Sequence, residues 1–142
     1  MQLALLLHLM LAAAWISCVV VEAIYEHTID HSLPMRKFIS QLHWNTDRFV
    51  EVPAFVGVLL TGGRMLLDRS LTPLLATKIV FGLLAIVLNA VCVWLVFKRL
   101  QYARKDDYDA WERVDHLQHK LGGIVAVALL VAAGIGAYLF AR

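Results

Sequence analysis

Three ionisable residues, His43, Asp47 and Glu51, follow one another at intervals of four residues. In an α-helix this spacing places an imidazole and two carboxylates on consecutive turns, spread over only about 80° of the helix surface. Imidazole nitrogen and carboxylate oxygen are ligands that Zn(II), Fe(II) and Mn(II) commonly take in proteins. The segment therefore indicates a metal-binding helix face, and a solvated, charged helix start is the alternative.

Two further segments carry ionisable side chains at helical spacing. Glu22 and Glu26 lie four residues apart in an earlier apolar block. A later group falls within about 100° of one helix face: Glu112, Asp115, His116 and His119. Helix bundles commonly build metal sites from inward-facing carboxylates and histidines of different helices.

We therefore predict a site for one or two transition-metal ions, with Zn, Fe or Mn as the expected ion. The predicted ligands are Glu22, Glu26, His43, Asp47, Glu51, His116 and His119. The alternative is an interfacial network of salt bridges and helix caps that holds no metal.

The composition indicates that the elements carrying these residues cross a membrane. Of 142 residues, 61% are hydrophobic and 17% are charged, whereas soluble domains carry about a quarter charged residues. Four apolar blocks approach the roughly 20 residues that span a bilayer. We predict an all-α, integral membrane four-helix bundle that forms a single transmembrane domain over residues 1–142. The predicted helices cover about 3–26, 43–67, 71–98 and 112–140.

The distribution of basic residues predicts the orientation in the membrane. The segments after the first and third helices hold nine Lys and Arg residues, whereas the opposite side holds four. Since cytoplasmic loops carry the excess of Lys and Arg, both termini are expected outside and loops 1–2 and 3–4 in the cytoplasm. We expect a bacterial inner-membrane protein whose partner is the lipid bilayer. The basic residues give no indication of nucleic-acid binding, because they lie in the loops.

Two local features bear on the predicted helices. Pro53 lies inside the second helix and is expected to kink it near Glu51. Cys18 and Cys92 both fall inside apolar blocks. We interpret both as small core residues, with a Cu(I)-thiolate role as the alternative.

A haem is the competing cofactor. Haem b in a membrane bundle needs axial ligands that face an apolar slot. His8 has such an apolar setting, and Lys78 lies at a similar depth in the third helix. A haem-b-binding membrane oxidoreductase that uses His8 and Lys78 is therefore the alternative function.

The same two residues carry a resemblance to known families. Leu-His-Leu around His8, with Trp15, resembles the first helix of the CopD-like copper-resistance membrane proteins and of the HemJ-type protoporphyrinogen oxidases. Lys78 resembles their third-helix lysine. A related uncharacterised family has a similar second-helix pattern at Asp47, Pro53 and Thr61-Gly62. The resemblance covers roughly three of the four helices, and its motifs are short. It implies copper handling in the first case. In the second it implies a haem-associated His8 and a functional Lys78.

A third function needs no cofactor. Small residues are frequent in the fourth predicted helix, and such residues let membrane helices approach closely. The chain could therefore serve as a membrane assembly factor or structural subunit, in a homodimer or with a partner membrane subunit.

Overall fold

The computed structural model describes residues 2–28, 32–67 and 69–141, which are almost entirely helical. The elements are α1 (Gln2–Thr28), α2 (Leu33–Thr46), a π-helical turn (Asp47–Glu51), α3 (Val52–Leu66), α4 (Pro73–Arg104) and α5 (Tyr108–Ala141). The second, third and fourth of these form one continuous helical segment of 34 residues. The chain is therefore an all-α bundle of four long helical segments, as predicted.

Each of the four segments is long and apolar enough to cross a membrane. Large apolar side chains cover the outside of the bundle, with exposed fractions of 67% for Leu60, 60% for Val87 and 61% for Leu130. Water would make such a surface unfavourable, whereas lipid chains match it. The protein is an integral membrane protein whose outer surface contacts the bilayer.

The helices extend further than hydropathy alone predicted. The second segment begins at Leu33 rather than near residue 43, and the third ends at Arg104 rather than near residue 98. Pro34 lies in the first turn of the second segment. Amide hydrogens in the first turn of a helix have no partner within the helix, so a proline is tolerated there. At 1.5 Å per residue, α4 and α5 are each about 50 Å long, which exceeds the roughly 30 Å of the hydrocarbon core. The helical bundle therefore continues past the apolar spans.

Two apolar clusters hold the helices together. The membrane core cluster consists of Trp15, Ala54, Phe55, Ala85, Cys92, Val125, Ala128 and Leu129. The cap cluster consists of Ile39, Ala103 and Trp111, with Tyr25 and Tyr102 packed against it. On α4, for example, Arg99 comes between Cys92 of the first cluster and Ala103 of the second.

The same order recurs along the second and fourth helical segments, and Glu22 and Glu26 of α1 contact His43 at the same level, so ionisable side chains form a layer between the two clusters. We call this layer the charged layer. Its members are Glu22, Glu26, His43, Asp47, Glu51, Arg99, Asp115 and His119.

A π-helical turn carries two members of the charged layer. The amide of Val52 bonds the carbonyl oxygen of Asp47, five residues earlier. Pro53 follows directly and has no amide hydrogen to complete an ordinary α-helical ladder. The wider turn accommodates that missing donor, and such turns are frequent at functional sites. The expected disturbance at Pro53 therefore takes the form of a π-helical turn over Asp47–Glu51.

The connection between α4 and α5 fixes where α5 begins. Asp106 has a φ of 57°, a left-handed conformation that aspartate tolerates better than most residues. The Asp107 carboxylate accepts a hydrogen bond from the Ala110 amide at 3.1 Å and so caps α5. Lys37 of α2 contacts Asp106 at 2.7 Å. Its ammonium group holds the pKa of the Asp106 carboxyl below its usual range.

Candidate metal centre

Six of the seven predicted ligands lie in the charged layer, and five of these are buried. Helix α1 supplies Glu22 and Glu26, α2 supplies His43, and the π-helical turn supplies Asp47 and Glu51. Their exposed fractions are between 1% and 7%. Burying ionisable groups this completely is unfavourable unless each has a partner, so the contacts inside the layer decide what it can do.

His43 is held at one nitrogen and presents the other to two carboxylates. Its Nδ1 lies 2.6 Å from Oε1 of Glu26. This short contact identifies Nδ1–H as the donor to the carboxylate, so a neutral imidazole would carry its lone pair on Nε2. Nε2 lies 3.5 Å from Oε2 of Glu22 and 3.6 Å from Oδ1 of Asp47. A carboxylate that orients one histidine nitrogen while the other faces further ligands is the usual arrangement around a metal-bound histidine.

The spacing of these three donors suits a small metal ion. Bond lengths of about 2.0–2.2 Å place two donor atoms of a tetrahedral ion about 3.4 Å apart. The separations of 3.5 and 3.6 Å from Nε2 are close to that value and longer than most hydrogen bonds. One donor atom from each of Glu22, His43 and Asp47 lies within 4.8 Å of the others. We call these three residues the inner group.

The carboxyl group of Asp47 is the unsatisfied polar group of the inner group. Its exposed fraction is 1%, and among the described residues neither of its carboxylate oxygens has a hydrogen-bond partner. The described ion pairs of Glu22 and Asp47 are with His43 alone. A cation between the three donors would supply the missing partner of Asp47.

Glu51 lies on the core side of the inner group. Oxygen atoms of Glu22 and Glu51 and the sulfur of Cys18 form another set within 4.8 Å of one another. The Cys18 thiol donates to Oε1 of Glu22 at 3.5 Å. Cys18 and Cys92 are both buried and both free, as expected for core residues. Since Glu22 belongs to both sets, Glu51 and Cys18 lie next to the inner group.

Arg99 and Asp115 complete the charged layer, and the predicted ligand set included neither of them. The Arg99 guanidinium donates to Oε1 of Glu26 and to Oδ1 of Asp115, each at 2.5 Å. It is fully buried and also lies 3.0 Å from Nδ1 of His43. The sequence places Asp115 on a polar face of the last helix with three other residues, but not in the predicted ligand set. Arg99 falls in the predicted loop, because the predicted third helix ends at residue 98.

The two predicted histidine ligands of α5 have different positions. His119 is partly buried, and its Nε2 lies 3.9 Å from Oε2 of Glu26. His116 is exposed. Among the described residues, the sets of donors within 4.8 Å of one another do not include it. The structure therefore brings His119 to the charged layer and leaves His116 on the surface.

The residues of the haem alternative lie at the opposite end of the bundle. His8 and Lys78 are both partly buried. Nδ1 of His8 lies 2.9 Å from Oγ1 of Thr61, whose hydroxyl donates to the carbonyl of Gly57 at 2.6 Å. Since that hydroxyl has one hydrogen, His8 donates through Nδ1 and keeps a lone pair on Nε2. A Cβ atom at Gly136 would lie 2.8 Å from Cε of Lys78, so this glycine makes room for the lysine side chain.

No protein-family model matches the sequence, and no curated protein or solved structure is significantly similar to it. The resemblance to the CopD-like and HemJ-type families therefore stays a prediction. The function is argued below from the geometry of the charged layer.

Proposed function

We propose that this membrane protein binds a transition-metal ion in the inner group, for metal handling or metal-dependent redox chemistry. Glu22, His43 and Asp47 would be its ligands, with Glu51 next to them. The observation that carries the proposal is the pair of carboxylates facing Nε2 of His43, at 3.5 and 3.6 Å. Glu26, on the other nitrogen, would orient the imidazole rather than bind the ion.

The excess of buried carboxylates in the charged layer supports the binding of a cation. Four carboxylates are almost fully buried there, whereas Arg99 is the one buried Lys or Arg of the described residues. Arg99 bonds Glu26 and Asp115. A divalent ion would compensate the carboxylates of the inner group, which the guanidinium does not contact within 4.0 Å. A mixed nitrogen and oxygen ligand set favours Zn(II), Fe(II) or Mn(II) over Cu(I).

We also propose that the charged layer lies at the cytoplasmic side of a bacterial inner membrane. The excess of Lys and Arg in the first and third loops supports this orientation. All proposed ligands come from one chain, so the site needs no second subunit. A homodimer or a partner membrane subunit remains a prediction from the small residues of α5.

Metal analysis of detergent-purified protein tests the proposal. We expect close to one Zn, Fe or Mn ion per chain in the wild type and in His116→Ala, which removes an exposed histidine from the same end of the bundle. We expect loss of that ion in His43→Ala and in Asp47→Asn. Equal metal content in all four proteins would contradict the assignment.

A visible spectrum of the same samples separates the alternatives. A Soret band that disappears in His8→Ala would show that the protein binds haem at the opposite end of the bundle, and would contradict the proposed metal site. Protein without metal and without haem would leave the charged layer as a salt-bridge network, in which a protonated His43 pairs with the carboxylates. That outcome would favour the cofactor-free assembly factor.

A further inference from the structure

We propose that Glu26, Asp115 and His119 form a second, latent metal site, and that the Arg99 guanidinium occupies it in place of an ion. We call these three residues the outer group. The inference deepens the proposed function and rests on it, because it sets how many ions the charged layer holds. Arg99 would then restrict the wild-type protein to one metal ion.

The outer group has the composition and spacing of a metal site. One donor atom from each of Glu26, Asp115 and His119 lies within 4.8 Å of the others. Nδ1 of His119 lies 2.8 Å from the carbonyl oxygen of Asp115 and therefore donates to it. This leaves the lone pair of Nε2 directed to the side of Glu26, 3.9 Å from Oε2. The histidine is thus oriented through one nitrogen, as metal-bound histidines are.

The outer group already contacts a positively charged side chain. The guanidinium of Arg99 bridges Glu26 and Asp115 with one hydrogen bond to each carboxylate, both at 2.5 Å. An arginine cannot lose its charge under ordinary conditions. A metal ion bound to the same two carboxylates would lie directly beside that fixed charge and would be repelled by it. The guanidinium therefore provides the positive charge that an ion would otherwise provide.

Packing holds Arg99 in this position. Its Cζ lies 5.6 Å from the centre of the Trp111 ring, and the indole nitrogen of Trp111 donates to Oγ of Ser40 at 2.8 Å. Ser40 in turn donates to the carbonyl of Arg36 at 2.7 Å. The Trp111 ring, anchored through Ser40 to α2, thus lies beside the guanidinium in the buried layer.

The inner and outer groups differ in whether an arginine pairs with their carboxylates. Both groups consist of two carboxylates and one histidine. In the outer group an arginine pairs with both carboxylates. In the inner group the described ion pairs are with His43 alone, and Asp47 is left without a hydrogen-bond partner among the described residues. One layer thus contains two similar donor sets, of which only one carries its own cation.

The test replaces Arg99 and measures the number of metal ions bound per chain. Purified wild type, Arg99→Gln, Arg99→Lys and Arg113→Gln are loaded with Zn(II) or with Mn(II), separated from free metal and analysed for metal per chain. We expect one ion in the wild type, in Arg99→Lys and in Arg113→Gln, which changes an exposed arginine of α5. We expect two ions in Arg99→Gln, and one again in Arg99→Gln combined with His119→Ala. A folded Arg99→Gln protein that binds only one ion overturns the inference.

His119→Ala in the wild-type background gives a second test where Arg99→Gln does not fold. The inference expects it to keep one ion with unchanged affinity, because His119 belongs to the group that Arg99 fills. Loss of the single ion in this variant would overturn the inference.

The outcomes for the two proposals are distinguishable. One ion that is lost in His43→Ala, with no second ion in Arg99→Gln, would support the inner group and reject the latent site. No ion in the wild type and one in Arg99→Gln would reject the proposed function while supporting the outer group.

Discussion

At the scale of single residues, Glu26 connects the two halves of the charged layer. Its Oε1 contacts both Nδ1 of His43 and the Arg99 guanidinium. The carboxylate therefore orients the histidine of the inner group while it neutralises the arginine of the outer group. We infer that Glu26 affects metal affinity without binding the ion of the inner group.

Replacing Glu26 by Gln tests this role. The amide keeps an oxygen for Nδ1 of His43 but removes the negative charge, so the imidazole becomes a weaker ligand. Carboxylate partners of metal-bound histidines typically contribute 10–100-fold to affinity. We expect about that loss in a metal titration of Glu26→Gln, with the same number of ions bound at saturation. Glu112→Gln, on the exposed side of α5, is the control. Loss of the ion even at saturation would instead make Glu26 a ligand.

Helical periodicity predicted which residues share a face but could not predict their partners. It grouped Glu22 with Glu26 and His43 with Asp47, and both pairs lie in the charged layer. It also grouped His116 with His119, although only His119 reaches the layer. Residues three positions apart on a helix differ by about 60° in direction, and the packing of α5 against its neighbours decides which of them faces inward.

At the scale of elements, the π-helical turn sets the relation between His43, Asp47 and Glu51. In a regular α-helix, four residues overshoot one full turn by about 40°. A π-helical turn takes more residues, so the step from Asp47 to Glu51 falls short of a full turn and offsets the overshoot from His43 to Asp47. The turn thus keeps both carboxylates directed into the bundle, which the predicted regular helix would have done less well.

Pro53→Ala tests the importance of this turn. Alanine restores the amide hydrogen and removes the ring, so the segment can return to an α-helical ladder. We expect a protein of unchanged helicity whose metal affinity falls at least tenfold, because the carboxylates rotate away from His43. Pro73→Ala is the matched control, since Pro73 lies in the first turn of α4. Circular dichroism and a metal titration on both variants measure the two quantities. Unchanged affinity in Pro53→Ala would show that the turn persists without the proline or is not needed.

The cap cluster is the element-scale feature that hydropathy missed. The helix ends that form it are amphipathic. Their apolar sides are recognised only in the folded structure, where Ile39, Ala103 and Trp111 pack together. For this reason the start of the second helix and the end of the third were predicted several residues too close to the membrane. Arg99 was misplaced for the same reason, since it lies in the part of α4 that continues past the apolar span.

Trp111→Phe tests how much the cap cluster contributes to stability. The exposed fraction of Trp111 is 2%, and phenylalanine would lose its hydrogen bond to Ser40 together with part of its buried volume. Such losses typically cost about 1–3 kcal/mol in the free energy of unfolding. Trp94→Phe is the control, because 56% of that side chain is exposed. There we expect a change within about 0.5 kcal/mol. Unfolding in mixed detergent measures both, and equal stability of the two variants would contradict a structural role of the cap.

At the scale of the whole molecule, the outward face of the bundle requires an apolar environment, whereas the charged layer requires polar or charged partners. The apolar outer surface needs lipid, whereas the charged layer and the cap cluster lie where the helices pass the apolar spans. The α1–α2 and α4–α5 connections meet at one end of the bundle. The sequence predicted the number and order of the four apolar segments, because both depend only on hydropathy. Which side is cytoplasmic depends on the distribution of Lys and Arg.

Cysteine labelling tests the orientation and, with it, the compartment that would exchange metal with the proposed site. Cys18 and Cys92 are buried and are not expected to react with a membrane-impermeant maleimide. Lys105→Cys and Ser70→Cys each place an exposed thiol in a connection, at opposite ends of the bundle. In spheroplasts of a Gram-negative host we expect Ser70→Cys to react at once and Lys105→Cys only after permeabilisation, because cytoplasmic loops hold the excess of basic residues. The reverse pattern would put the charged layer at the periplasmic face, where the ion would come from outside the cell. The same metal ligands would then serve capture rather than the handling of cytoplasmic metal.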